Sequence, residues 1–89
     1  MAKVYKYPIS GSVLLPKGSK ILTVCSKLDG NFLYVQVPDN EKETEQHYFR
    51  VVPTGAPFDD TGCTYIGSVI LEDYFIYHVY EVDPKTIQG

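Results

Sequence analysis

Tryptophan is absent from the sequence, methionine and arginine occur once each, and there are two cysteines, Cys25 and Cys63. No Cys-x-x-Cys pair is present, and no cluster of Cys, His and carboxylate has metal-ligand spacing, so no metal site is expected. Two free thiols in a reducing cytoplasm is the expectation from so few cysteines, with a Cys25–Cys63 disulfide left open. No apolar run reaches the length of a signal peptide or a bilayer span, which points to a cytosolic protein with no membrane partner. A P-loop, a Gly-x-Gly-x-x-Gly turn and a nucleophile elbow are all missing. Asp59 and Asp60 are sequence neighbours, not an acid and a base facing each other across a cleft. The expectation is therefore a protein that is not an enzyme and carries no cofactor.

Tyrosine is abundant: eight Tyr stand beside four Phe in 89 residues. Its large apolar body and polar tip suit half-buried strand faces, interfaces and ligand pockets. The hydrophobic share of 44% is ordinary for a folded domain and argues against disorder. A core this small leaves a role for self-association, and a homo-oligomer is expected.

The net charge of −3 speaks against nucleic acid as a partner. The charges are nonetheless uneven. Lys3, Lys6, Lys17, Lys20 and Lys27 precede any acid, and from Asp29 onward eleven acids face only Lys42, Arg50 and Lys85. Two readings follow: a solvated surface, or a basic rim attracting a small anion, since the local field decides such attraction.

The chain is organised around His47–Ser68, where two segments of strand character flank a loop containing Pro53, Gly55, Pro57 and Gly62. Those four residues exclude a long helix there, and such a loop is where a small β-protein carries a site. Before it, strands are expected at Val4–Ile9, interrupted by a Pro8 that suits an edge strand or a strand end, and at Val13–Leu15 after a Ser10-Gly11-Ser12 bend. Pro16–Ser19 is a turn. Ile21–Ser26 and Phe32–Val37 form a hairpin through Leu28-Asp29-Gly30-Asn31, with Leu33, Val35 and Val37 on one face. The acidic stretch Pro38–Gln46 reads as an exposed connection. His47–Val52 sends Phe49 and Val51 one way and Tyr48 and Arg50 the other. Tyr65–Leu71, a Glu72-Asp73 turn and Tyr74–Val82 complete the series. The last strand is apolar or aromatic on both faces, which points to a central strand, a closed barrel or a subunit interface. The expected architecture is all-β: a single domain over residues 1–89 of about six or seven antiparallel strands, as a small barrel or a compact two-sheet sandwich, with residues 83–89 as a frayed tail.

Candidate binding residues gather near the loop. Arg50 shares a strand face with Tyr48, a planar cation beside a ring, suited either to a nucleotide or to simple surface stacking. Thr54 and Gly55 offer a hydroxyl and backbone N–H groups to an anion. His78 is either a packed, hydrogen-bonded strand residue or a donor to a ligand oxygen. Tyr65 and, from the basic third, Lys20 complete the expected ligand-binding set.

Pro16-Lys17-Gly18-Ser19-Lys20-Ile21-Leu22, Phe49-Arg50-Val51-Val52 with Thr54-Gly55-x-Pro57, Tyr65-Ile66-Gly67-Ser68-Val69 and His78-Val79-Tyr80-Glu81 resemble the landmarks of a family of short, uncharacterised phage and prophage proteins. The resemblance runs from about Lys6 to Val82. It implies a phage accessory protein acting in the bacterial host cytoplasm. On that basis the expected function is anti-defence: binding and sequestering a small, anionic, nucleotide-like signal without catalysis. The alternative is a protein-binding module that inhibits a host defence enzyme through its aromatic surface or a strand edge.

Overall fold

The computed structural model describes residues 1–71 and 73–86. Seven strands follow in order: β1 (Ala2–Pro8), β2 (Ser12–Pro16), β3 (Lys20–Lys27), β4 (Gly30–Pro38), β5 (Thr44–Pro53), β6 (Cys63–Ile70) and β7 (Ile76–Val82). They form two antiparallel sheets, one of three strands in the order β1-β4-β3 and one of four in the order β2-β5-β7-β6. The open question of barrel or sandwich is decided for the sandwich, since among the described residues no ladder joins the two sheets. Among the described residues no helix is long and apolar enough to cross a membrane.

The alternation along each strand selects the inner face. Leu33, Val35 and Val37 of β4 are buried, with Ile21 and Val24 of β3 opposite Val35 and Leu33. The other sheet supplies Leu15, Phe49, Val69 and Val79 to the same core. At roughly 1.5–3 kcal/mol for each fully buried Val, Leu or Phe, this cluster is the main driving force for folding. β7 is a central strand, flanked by β5 and β6, which accounts for its two apolar faces.

The sheets approach most closely where β3 passes β6. Each strand has a register shift there, between Ile21 and Thr23 and between Tyr65 and Gly67. A Cβ on Gly67 would stand 2.9 Å from Val24 Cγ2, so glycine is required for this approach. Ser26 Oγ accepts from the Ile70 N–H at 2.9 Å and ties the two strand ends together.

Several boundaries differ from expectation. The exposed connection is shorter than Pro38–Gln46, because Thr44, Glu45 and Gln46 pair with Pro16, Leu15 and Leu14. A ladder partner distant in sequence overrides their weak strand propensity. The hairpin loop is Leu28-Asp29, with Gly30 already opposite Lys27, because the register that sets Val24 against Leu33 leaves two residues for the turn. β7 starts at Ile76 because Tyr74 takes φ 61°, and the Phe75 N–H and Tyr77 hydroxyl both donate to the Asp73 carboxylate. The expected Glu72-Asp73 turn lies partly outside the described residues. Pro84–Thr86, placed by expectation in a frayed tail, form one 3₁₀ turn begun by Asp83, whose carboxylate accepts from the Lys85 N–H. The rest of that tail lies outside the described residues. Cys25 and Cys63 are both free and sit on the outer faces of different sheets.

Candidate functional site

The pairing of β5 with β7 sets Arg50 opposite Tyr80 and Val52 opposite His78. The pairing of β6 with β7 sets Tyr65 opposite Tyr80 and Ser68 opposite His78. Tyr48, Arg50, Tyr65, Ser68, His78 and Tyr80 therefore share the outer face of the four-stranded sheet. Val52 and Val82 are buried on this face and stand apart from the inter-sheet core.

The Pro53–Thr61 loop folds back over one part of this face. Phe58 packs on Tyr80 with ring centroids 5.1 Å apart, and Tyr65 meets Tyr80 edge-on at 5.4 Å. Arg50 Nη1 donates to the Asp59 carbonyl at 2.7 Å. The Thr61 hydroxyl and N–H hold the Asp59 carboxyl below the usual carboxylate range, with the Arg50 charge assisting. Arg50 is thus partly engaged in anchoring the loop.

A directed chain of hydrogen bonds crosses the other part. The Thr54 hydroxyl donates its single proton to the Ile76 carbonyl at 2.9 Å. It can only accept from His78 Nε2, 2.8 Å away, so Nε2 carries the proton. In the neutral ring Nδ1 is then an acceptor, Ser68 Oγ donates to it at 3.0 Å, and Tyr65 donates to Ser68 at 2.7 Å. The chain is complete from the Tyr65 hydroxyl to the Ile76 carbonyl. Ser68 lies beside a histidine, but nothing in the chain pulls the proton toward a stronger base, and the far end is a neutral carbonyl.

The expected site residues separate into two groups. Tyr48, Arg50, Thr54, Tyr65 and His78 come together on or beside this face. Gly55 sits at its margin with φ 87°, at the third position of a turn closed by the Ala56 N–H on the Pro53 carbonyl. Its left-handed backbone serves that turn. Lys20 does not join them: it pairs with Gln36 on the outer face of the three-stranded sheet, across the sandwich. Lys6 is on that same far face, 4.5 Å from the Phe32 ring centroid. The basic N-terminal third thus concentrates on the other sheet, because β1 and β3 both flank β4.

Phe58, Ser68 and Tyr80 complete the cluster without having been singled out as site residues. The β5–β7 pairing sets Tyr80 beside Arg50, the β6–β7 pairing sets Ser68 beside His78, and the loop after β5 brings Phe58 onto Tyr80. His47, near the other end of β5, forms a separate clasp. Its Nδ1 is 2.7 Å from Glu81 Oε2 and its Nε2 is 3.1 Å from Glu45 Oε1. The His47 bond and the Gly18 N–H hold the Glu45 carboxyl below its usual range. This clasp joins β5 to β7 and to the turn after β2. Among the described residues no group of three or more His, Cys, Asp or Glu is arranged to hold a metal ion.

No curated protein and no solved structure matches the chain. A family model does: DUF7352, a domain of unknown function, matches residues 1–88, and the chain belongs to that family.

Proposed function

We propose that the protein is a non-catalytic binding module whose four-stranded sheet docks a protein partner through its outer face. The observation that carries this reading is the cluster of Tyr48, Arg50, Phe58, Tyr65 and Tyr80 on one sheet surface. Among the described residues, two recesses of the molecule are lined by none of these side chains. Tyrosine and arginine concentrate binding energy at protein interfaces, and rings held by hydrogen bonds and stacking lose little entropy on docking. The partner that fits the phage resemblance is a host defence enzyme in the bacterial cytoplasm, blocked by coverage of its surface. The test is capture from host lysate by three immobilised forms: the natural chain, Tyr65→Asp, and Val4→Asp on the opposite sheet. One stoichiometric partner, lost with Tyr65→Asp and kept with Val4→Asp, is expected. Equal capture by all three forms overturns the reading.

The neighbourhood of Arg50 with Tyr48 and Tyr80 favours a second reading, sequestration of a nucleotide-like signal. A planar cation beside two rings suits a base and a phosphate. In this reading a second copy of the chain closes the face into a composite pocket. Calorimetry with cyclic dinucleotides and ADP-ribose derivatives tests it. Binding weakened about tenfold or more by Arg50→Ala is expected from the loss of a charge-assisted hydrogen bond. Absence of heat with every compound removes this reading.

A further inference from the structure

Val51 shares the inner face with Phe49, yet it is 37% exposed. The sandwich is not filled at that end. A throat of about 290 Å³ runs between the sheets there, lined by Ile9, Asn31, Val51, Val69 and Leu71. It adjoins a wider recess of about 1440 Å³ between the β3–β4 hairpin tip and the chain around Ile70 and Tyr74, and Asn31 and Leu71 line both.

Asn31 Oδ1 is buried with no hydrogen-bond partner, the one such side-chain atom found among the described residues. An acceptor left in this state costs stability until a donor reaches it. Asn31 is the one polar side chain among the described residues lining the throat, so a buried water finds few side-chain partners there. The outer recess holds Lys27 against Asp29 and Asp73. The Tyr77 hydroxyl and Phe75 N–H favour the ionised form of Asp73. Acidic groups thus outnumber the single cation around the opening, which disfavours an anionic head group.

We propose that this mouth binds a small neutral amphiphile, with an alkyl chain in the throat and an alcohol or primary amide head donating to Asn31 Oδ1. A turn about the soft χ2 torsion of Asn31 aims the oxygen at the head group. Ile9, Val51, Val69 and Leu71 enclose the chain and supply the apolar burial. This site is independent of the outer sheet face.

The test is a titration of the intact, nitrogen-15-labelled chain with octanol, octanamide, octanoate and methyl octyl ether, followed by amide chemical shifts. Octanol and octanamide are expected to give saturable shifts centred on Ile9, Asn31, Val51, Val69 and Leu71. The ether lacks the donor and is expected to bind about tenfold more weakly. Octanoate is expected to be weaker than octanamide. Asn31→Leu should erase the gap between alcohol and ether, and Val51→Phe, which fills the throat, should abolish binding of both. The proposal is overturned if octanol and octanamide give no saturable shifts, if ether and alcohol bind equally to the natural chain, or if octanol still binds Val51→Phe.

Discussion

The outer face of the four-stranded sheet and the open end of the sandwich reverse what their residues suggest. The outer face holds the side chains that look most ready for a ligand: an arginine, a histidine, two hydroxyls and several rings. Most of their polar groups bond to one another. Arg50 anchors a loop to the Asp59 carbonyl, and His78 has both nitrogens engaged by Thr54 and Ser68. The open end is lined by aliphatics and a single asparagine, and there a buried acceptor is left without a partner. Residue type says what a group can do, whereas its neighbours determine whether that capacity is already used.

The largest effect contrasts the filled and unfilled parts of the space between the sheets. Leu33 is fully buried, and Leu33→Ala should cost about 2–5 kcal/mol in urea denaturation. Val51→Ala, on the inner side of the facing sheet but 37% exposed, should cost well under half of that. Equal losses would mean that the end is as tightly packed as the middle, and the contrast would fail.

A smaller effect probes the hydrogen-bond chain. Thr54→Val removes the acceptor of His78 Nε2 and the donor to the Ile76 carbonyl. It should cost about 0.5–1.5 kcal/mol, because water repairs part of the loss on an exposed face. Nitrogen-15 spectra of the natural chain should show neutral His78 in the Nε2–H tautomer, and Thr54→Val should shift it toward a mixture. A tautomer mixture already present in the natural chain would break the assignment.

The smallest effect lies beside the open end. The Tyr77 hydroxyl and Phe75 N–H lower the Asp73 carboxyl from its ordinary 3.8, and Asp73 raises the Tyr77 hydroxyl from its ordinary 10.0. The Asp73 contribution is present above its ordinary value and is lost as pH falls through the lowered one. The Tyr77 contribution is present below its ordinary value and is lost as pH climbs through the raised one. Tyr77→Phe should therefore reduce stability by a small, constant amount across neutral pH and flatten both flanks. A stability–pH curve unchanged by Tyr77→Phe would show the pair to be inert.

Much of the local architecture was legible. The period-two pattern of Phe32–Val37 marked Leu33, Val35 and Val37 as a common face, and all three are buried. The two-sided apolar character of the last strand left a central strand, a closed barrel or a subunit interface open, and the strand order makes β7 central. Where the reading fell short, long-range pairing was responsible. The Thr44–Gln46 end of the acidic stretch is strand only because β2 lies alongside, and Lys20 stands apart from Arg50 because β3 belongs to the opposite sheet.

The sequence by itself determined that this is an all-strand protein, which residues of β4, β5 and β7 share a face, and that its basic and acidic residues are segregated along the chain. It did so because side-chain alternation and turn chemistry are local properties. Tertiary structure alone decided that β7 enters between β5 and β6, that Arg50 and His78 share a surface without Lys20, and that Asn31 lacks a partner. Those outcomes depend on which strands meet across long loops, a choice made by the packing of the whole core.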